Sequence, residues 1–199
     1  LSDGASQDAV ETAAMDAALM ARVREGDEPA FAELMGRWEL PVKRLVARIV
    51  FNADEAEELA QETMVRVWQQ RGKFRAGAAV RPWIFAIAVN LARNRLRWWR
   101  RRPTVALDAW TEKAGDGLRM MGDGAVIGAE VVERAERAAA VRAAVAALPL
   151  ELREALVLFE FEQVAQAEIA ATLGCTVKAV EARVARAREK LRVGLRGLT

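Results

Sequence analysis

Residues 71–102 read RGKFRAGAAVRPWIFAIAVNLARNRLRWWRRR, and the residue types in this stretch suit the holding of a polyanion. Ten of its side chains are basic and none is acidic. Such a run repels itself unless something of opposite sign offsets it. Phe74 and Trp83 flank a glycine-containing loop, with Lys73 and Arg75 beside them. Aromatic rings next to cations hold single-stranded bases, the rings by stacking and the cations by neutralising phosphate. Farther along, Asn90, Arg93, Asn94 and Arg97 fall around one face of a helical segment whose core stripe is Ile84, Ile87, Ala88 and Leu91. Asparagine offers a donor and an acceptor and arginine a rigid fork, so both can address base edges. A plainer reading stands beside this one. A charge run is ordinarily a solvated helix face, Trp83 and Phe85 are ordinarily core, and Trp98 and Trp99 can pack against residues 40–50 instead of nucleic acid.

A second basic block closes the chain. Residues 168–184 read EIAATLGCTVKAVEARV. Ala170 lets two helices approach, Gly174 suits a left-handed turn, and Ile169, Leu173, Val177, Val180 and Val184 fill the wedge between them. Thr176 has the hydroxyl to cap the second helix. That helix displays Lys178, Glu181, Arg183, Arg186 and Arg188, with Lys190 and Arg192 beyond. A basic second helix of this kind enters the major groove, its first residues at base edges and later ones at phosphates. The alternative is an ordinary helical hairpin with a solvated basic face. Cys175, in the turn, is either a small hydrophobe or a redox sensor.

Missing residue types exclude other chemistry. There is no His and no Tyr, Cys occurs once, and Ser occurs only at Ser2 and Ser6. Disulfides within the chain, metal sites built on His or paired Cys, and Ser/His or Cys/His nucleophiles cannot be assembled. A carboxylate-and-metal nuclease would need acids near the basic segments, and the acids concentrate elsewhere. GDGLRMMG at 115–122 lacks dinucleotide-loop spacing, and no Gly-Lys-Ser/Thr phosphate loop exists. The expectation is a protein without enzymatic activity or cofactor. No stretch approaches the ~18–20 apolar residues of a membrane span and no signal-peptide pattern opens the sequence. With the absence of Cys pairs, this fits the cytoplasm, without membrane contact of its own.

The elements that must carry these residues read as helices throughout, with no alternating strand pattern, so the class is all-α. Residues 1–15 read as a polar, disordered tail. Asp27-Glu28-Pro29 is a helix start, Pro41 begins or kinks the next helix, and Asn52-Ala53-Asp54 is a break with a cap. Residues 54–70 form the clearest amphipathic helix: Ala56, Leu59, Ala60, Met64, Val67 and Trp68 share a stripe, with Glu55, Glu58, Gln61 and Glu62 largely off it. Pro82 opens a helix that ends before Pro103. Residues 103–133 are glycine-punctuated and read as a flexible linker. Helices then run from Val131 to about Leu148 and from Leu152 to Phe161, followed by two shorter ones. Charge follows this division: net −7 over 1–70, +10 over 71–102, −3 over 103–135, −3 over 136–170 and +5 over 171–199.

The order of these segments resembles a known family. DEAEELAQETMVRVWQ (54–69), KFR, RPWIFAIAVNLARNRLR, a linker, LPLELREALVL and EIAATLGCTVKAVEARVARAREKLR together resemble a bacterial extracytoplasmic-function sigma factor, the two-domain type of the sigma-70 family, over about residues 16–102 and 134–196. The resemblance implies two small helical domains joined by a linker: a sigma-2-like bundle over 16–102 and a sigma-4-like helix-turn-helix domain over 134–199. It implies binding to core RNA polymerase at the β′ clamp helices through Asp54, Glu55, Glu58, Gln61 and Glu62. It implies melting and reading of the −10 element by Lys73, Phe74, Arg75, Trp83, Asn90, Arg93, Asn94 and Arg97, with 75–81 as the specificity loop. Thr176, Lys178, Arg183, Arg186 and Arg188 would meet −35 DNA, and apolar residues near Leu156–Phe161 would meet the β flap. The acidic linker would pass through the RNA exit path, and an anti-sigma factor would control the whole. Two positions depart from the family: Gln163 stands where Gly is common, and Glu181 where a basic residue is common. The rival reading is a stand-alone helix-turn-helix regulator, which would need a dimer helix that the sequence does not display.

Overall fold

Asp27, Asn52 and Thr176 each stop one segment and start the next by capping a helix. Oδ1 of Asp27 accepts from Ala30 N at 2.9 Å, Oδ1 of Asn52 from Glu55 N at 3.0 Å, and Oγ1 of Thr176 from Ala179 N at 3.2 Å. Each satisfies a backbone donor that the first helical turn leaves open. The bond from Ala30 holds the Asp27 carboxyl below its ordinary range. The computed structural model describes the backbone of residues 2–101 and 129–196. Residues 103–128 of the segment read as a linker lie outside the described residues.

The first half comprises α1 (Ser2–Arg24), α2 (Glu28–Val50), α3 (Ala53–Gln70), a 3-10 turn (Arg71–Lys73) and α4 (Val80–Arg101). Among the described residues every regular element is helical. Two expectations need correction. Backbone over residues 2–14, read as a disordered tail, is helical; after Gly4 it holds no helix breaker, and Asp16 ties α1 down by accepting from Arg37 Nε at 2.7 Å. Of the two readings of Pro41, the start of a helix is ruled out, since α2 runs through it. Proline costs an interior helix one hydrogen bond. Here Ala30, Leu34, Trp38, Val42, Leu45 and Ile49 are buried on both sides of it, and that burial outweighs the loss.

The second half comprises α5 (Ala129–Ala146), α6 (Leu150–Leu156), which continues as a π-helical turn (Val157–Phe161), α7 (Gln166–Leu173) and α8 (Val177–Gly194). The last of these, expected to be short, runs for 18 residues. Helices α7 and α8 cross as a helix-turn-helix. Gly174 takes φ 64°, ψ 42°, and Cys175 N reaches back to Ala170 O at 3.0 Å. Ile169, Ala170, Leu173, Val180 and Val184 fill the wedge, with Cys175 packed partly buried against it as a small apolar residue; Val177, expected there, is 40% exposed at the first turn of α8.

Gln163 has φ 51°, a left-handed backbone that favours glycine. Its side chain donates to Glu160 O at 2.5 Å. Relief of left-handed strain exceeds the added chain entropy of glycine, so Gln163→Gly should stabilise the protein by about 0.5–1 kcal/mol. Thermal denaturation checks this; an unchanged or lowered midpoint contradicts it.

The apolar interior does not stop at the boundary between the halves. Val157, Leu158, Val164, Ile169 and Leu173 belong to the same buried cluster as Leu34, Leu45, Ile84 and Phe85. Helix α7 packs on α4, and the π-helical turn and α6 pack on α2. A smaller cluster of Val145, Leu148, Leu152, Leu156 and Ala187 lies in the second half, with Phe51 of the first half packed against it.

Candidate nucleic-acid and protein-docking surfaces

Helix α4 is two-sided because its sequence is. Ile84, Phe85, Ala88, Val89, Ala92, Leu96 and Trp99 are buried, while Asn90, Asn94 and Arg97 are exposed along the outside. Arg97 Nη1 lies 3.5 Å from Asn94 Oδ1, so the two present one polar patch. The plainer reading holds for Phe85, which meets Trp38 edge-on with centroids 5.7 Å apart, and for Trp99; Trp98 is 40% exposed. Lys73 and Arg75 are exposed on the loop before α4. Phe74 is not, at 5% exposure. Its ring meets half-buried Trp83 edge-on at 5.1 Å and anchors the loop from beneath.

Arg93 departs most from expectation. It is half-buried, and its Nε and Nη2 donate to the two carboxylate oxygens of Glu154 on α6 at 2.7 and 2.6 Å. Glu154 is fully buried. Burial pushes its carboxyl above the ordinary range, the Arg93 guanidinium opposing this only in part, and the carboxylate in turn holds Arg93 more firmly protonated. A fork-on-fork pair of this kind is the geometry arginine offers to phosphate as well.

On α8 the five candidates divide between roles. Thr176 is exposed and serves as the cap; Lys178 and Arg186 are exposed. Arg188 is exposed and donates to Glu160 at 2.8 Å, with its guanidinium 5.4 Å from the Phe159 ring. Arg183 is half-buried, donating to Glu151 at 3.1 Å and to Cys175 Sγ at 3.6 Å. The two basic sets, far apart in sequence, meet in space. Arg93, Arg97 and Arg100 of α4 and Arg183, Arg186 and Lys190 of α8 line one cleft of about 780 Å³, along with Glu151 and Glu154.

The acidic face of α3 lies elsewhere. Asp54, Glu58 and Gln61 are exposed, Glu55 and Glu62 partly so. Arg95 pairs with Glu55 and, at 3.4 Å, with Glu58; Arg66 pairs with Glu62 at 2.9 Å, and Gln61 donates to Glu57 at 3.2 Å. Burial pushes the Glu55 carboxyl up despite Arg95. Beside this face an apolar groove of about 480 Å³ opens between α2 and α3, floored by Phe31, Met35, Met64, Val65 and Trp68 and rimmed by Glu28, Glu39 and Gln61. The sequence reading missed this groove. Its signal is Val65, off the buried stripe and 52% exposed.

The apolar residues near Leu156–Phe161 are mostly interior: Leu156, Val157 and Leu158 are buried, and only Phe161, 39% exposed, and the partly buried Phe159 reach the surface. Arg153 and Glu162 were also missed. Arg153 Nη1 donates to Ile49 O at 2.7 Å and Nη2 to Leu148 O at 3.2 Å and to Ala146 O, stapling the ends of α2 and α5 to α6. Desolvation and the neighbouring Arg100 lower its pKa to about 10. Glu162 accepts from Arg48 at 2.5 Å, and its carbonyl from Arg81. Both stand in segment 149–164, where charged and apolar residues are interspersed and nothing local marks which charges are drawn inward. Among the described residues no cluster of His, Cys, Asp or Glu could hold a metal, and no helix is long and apolar enough to cross a membrane.

Comparison with known proteins covers nearly the whole chain. The family profile described as Sigma-70 region 2 matches residues 34–102, and that described as Sigma-70, region 4 matches residues 138–191. The chain is 36% identical to the RNA polymerase sigma-H factor of Pseudomonas aeruginosa, over 94% of this chain and 97% of that one. It is 32% identical to the ECF RNA polymerase sigma factor SigW of Bacillus subtilis, over 89% and 95%. It is likewise 32% identical to the ECF RNA polymerase sigma-E factor of Escherichia coli, over 88% and 92%. Among solved structures it is similar to CnrH in complex with the cytosolic domain of CnrY, with TM-score 0.67 and 26% identity over 92% of this chain and 98% of that one.

Proposed function

The chain belongs to the extracytoplasmic-function group of the sigma-70 family of RNA polymerase sigma factors, and on that premise we propose how its surfaces divide the work. It is a transcription initiation factor that acts with core polymerase in the cytoplasm and does no covalent chemistry of its own. Residues 16–102 serve as the sigma-2-like domain and 134–199 as the sigma-4-like domain. The acidic face of α3 (Asp54, Glu55, Glu58, Gln61, Glu62) moors the chain to the β′ clamp helices. The neighbouring groove at Val65 and Trp68 adds an apolar contact, since a patch of this sort rimmed by acids suits an amphipathic basic helix. Lys73, Arg75, Trp83, Asn90, Arg93, Asn94 and Arg97 take the −10 strand, with Phe74 as the anchor beneath the loop. The base pulled from the duplex is offset by stacking and hydrogen bonds at this surface. Thr176, Lys178, Arg183, Arg186 and Arg188 take the −35 duplex, and Phe159 and Phe161 offer the exposed apolar contact to the β flap. The likeness to CnrH, whose solved structure is a complex with CnrY, supports control by an anti-sigma factor.

One observation carries this reading. An acid-free basic helix with exposed Asn90, Asn94 and Arg97 and a capped helix-turn-helix stand on the same chain as a separate acidic helix. Run-off transcription with core polymerase tests it: specific transcripts that depend on the chain are expected. A stand-alone regulator would bind duplex DNA yet start no transcript.

Arg183→Ala should weaken binding to a −35 duplex by about 1–3 kcal/mol if its guanidinium leaves Glu151 for a base edge. A uniform loss across sequences with a shallower salt dependence assigns it to phosphate instead.

A further inference from the structure

Arg93 is the one −10 candidate whose guanidinium is already taken. Its Nε–Nη2 edge, the fork that would grip a phosphate side-on, is engaged by Glu154, which is fully buried on α6 of the other half. We propose that Glu154 is an internal competitor for nucleic-acid phosphate: it occupies Arg93 in a closed state of the chain, so that closure of the halves and strand binding at α4 exclude each other. This rests on the assignment of α4 to DNA made above.

The coupling follows from charge burial. A buried carboxylate is tolerated when paired and hydrogen-bonded. A phosphate that draws Arg93 away while the halves stay closed leaves the buried Glu154 carboxylate without the guanidinium that bonds both of its oxygens. The halves must therefore part, letting Glu154 reach water, before Arg93 can serve a strand. The same closure brings Arg97 and Arg100 to within one cleft of Arg183, Arg186 and Lys190. Other contacts cross the seam and hold it shut: Thr172 Oγ1 lies 3.4 Å from Pro82 O, Arg153 binds Ile49 O, and Glu162 binds Arg48 and Arg81. By linkage, whatever factor the closed state takes from DNA affinity, DNA takes from closure.

The test uses the full chain and a short fluorescent single-stranded DNA of mixed sequence. Glu154→Gln leaves a neutral side chain that no longer holds Arg93 by charge and loses less than a carboxylate when Arg93 leaves. It should bind the strand about tenfold tighter than the unaltered chain, within the usual range for coupled sites. Glu189→Gln changes net charge equally at an exposed pair with Arg192 and should change binding less than about twofold. A second protein keeps folding out of the comparison: Cys175→Ala with Pro82→Cys and Thr172→Cys, in which oxidation pins α7 to α4. Its oxidised form should bind the strand weakly, and reductant should restore binding in the same sample. Equal binding by Glu154→Gln, Glu189→Gln and the unaltered chain, or by the oxidised and reduced forms, overturns the competitor while the DNA assignment stands. No binding in any form, together with no transcript from core polymerase, removes the DNA assignment and the competitor with it.

Discussion

A chain carrying Glu58→Lys and Glu62→Lys should lose affinity for core RNA polymerase by roughly 100-fold or more, the cost of setting like charges against each other across a complementary interface. Glu58 is exposed and Glu62 partly so, and both lie on the face of α3 turned away from its buried stripe. The fold should survive. The pairs given up, with Arg95 and Arg66, are largely exposed and contribute little each, about 0–1 kcal/mol. The cap at Asn52 and the acids Asp54 and Glu55 remain at the N-terminus of α3, where they favour the helix dipole. Circular dichroism and the thermal midpoint should therefore match the unaltered chain while binding falls. Undiminished binding would transfer the contact to the apolar groove around Val65 and Trp68 and cancel the electrostatic assignment.

Phe85→Ala should destabilise the protein by about 3–5 kcal/mol, the usual cost of removing a large buried aromatic side chain. At this chain length that is a fall of roughly 6–20 °C in melting temperature. Phe85 is fully enclosed, Trp38 packs its edge against it, and the Arg81 guanidinium sits 5.4 Å from its ring. The form of the transition matters as much as its position. The interior around Phe85 is continuous with Leu158, Val164 and Ile169, so both halves should melt together at the lower temperature. Two transitions, only one of them shifted, would show that the halves fold independently.

Local rules made much of this architecture readable. Asp27, Asn52 and Thr176 announce helix starts because capping needs only a side-chain oxygen at one position. Gly174 and most of the apolar wedge around it announce the helix-turn-helix; of the expected α4 stripe Ile84 and Ala88 are interior, whereas Ile87 and Leu91 are only partly buried and the core face turns instead to Phe85, Val89 and Ala92. What stayed hidden depends on contacts between residues far apart in the chain. Arg93 carries no mark that Glu154, on another helix, will claim it, and nothing near Arg153 says that its donors will reach Ile49 O. Phe74 beside Lys73 and Arg75 looks like a stacking platform until Trp83 covers it. Pro41 misleads in the other direction, because a local breaker yields to burial along the rest of α2.

The shared interior has a bearing on how long the protein lasts. Leu158, Val164 and Ile169 share one interior with α2 and α4, so parting the halves would open part of that interior to water. A copy released from transcription in an outstretched shape would carry this greasy seam uncovered, as bait for proteases and for aggregation. Such a copy would either fold shut, find a new cover, or be cleared, which ties the duration of a transcriptional response to the fate of three aliphatic side chains.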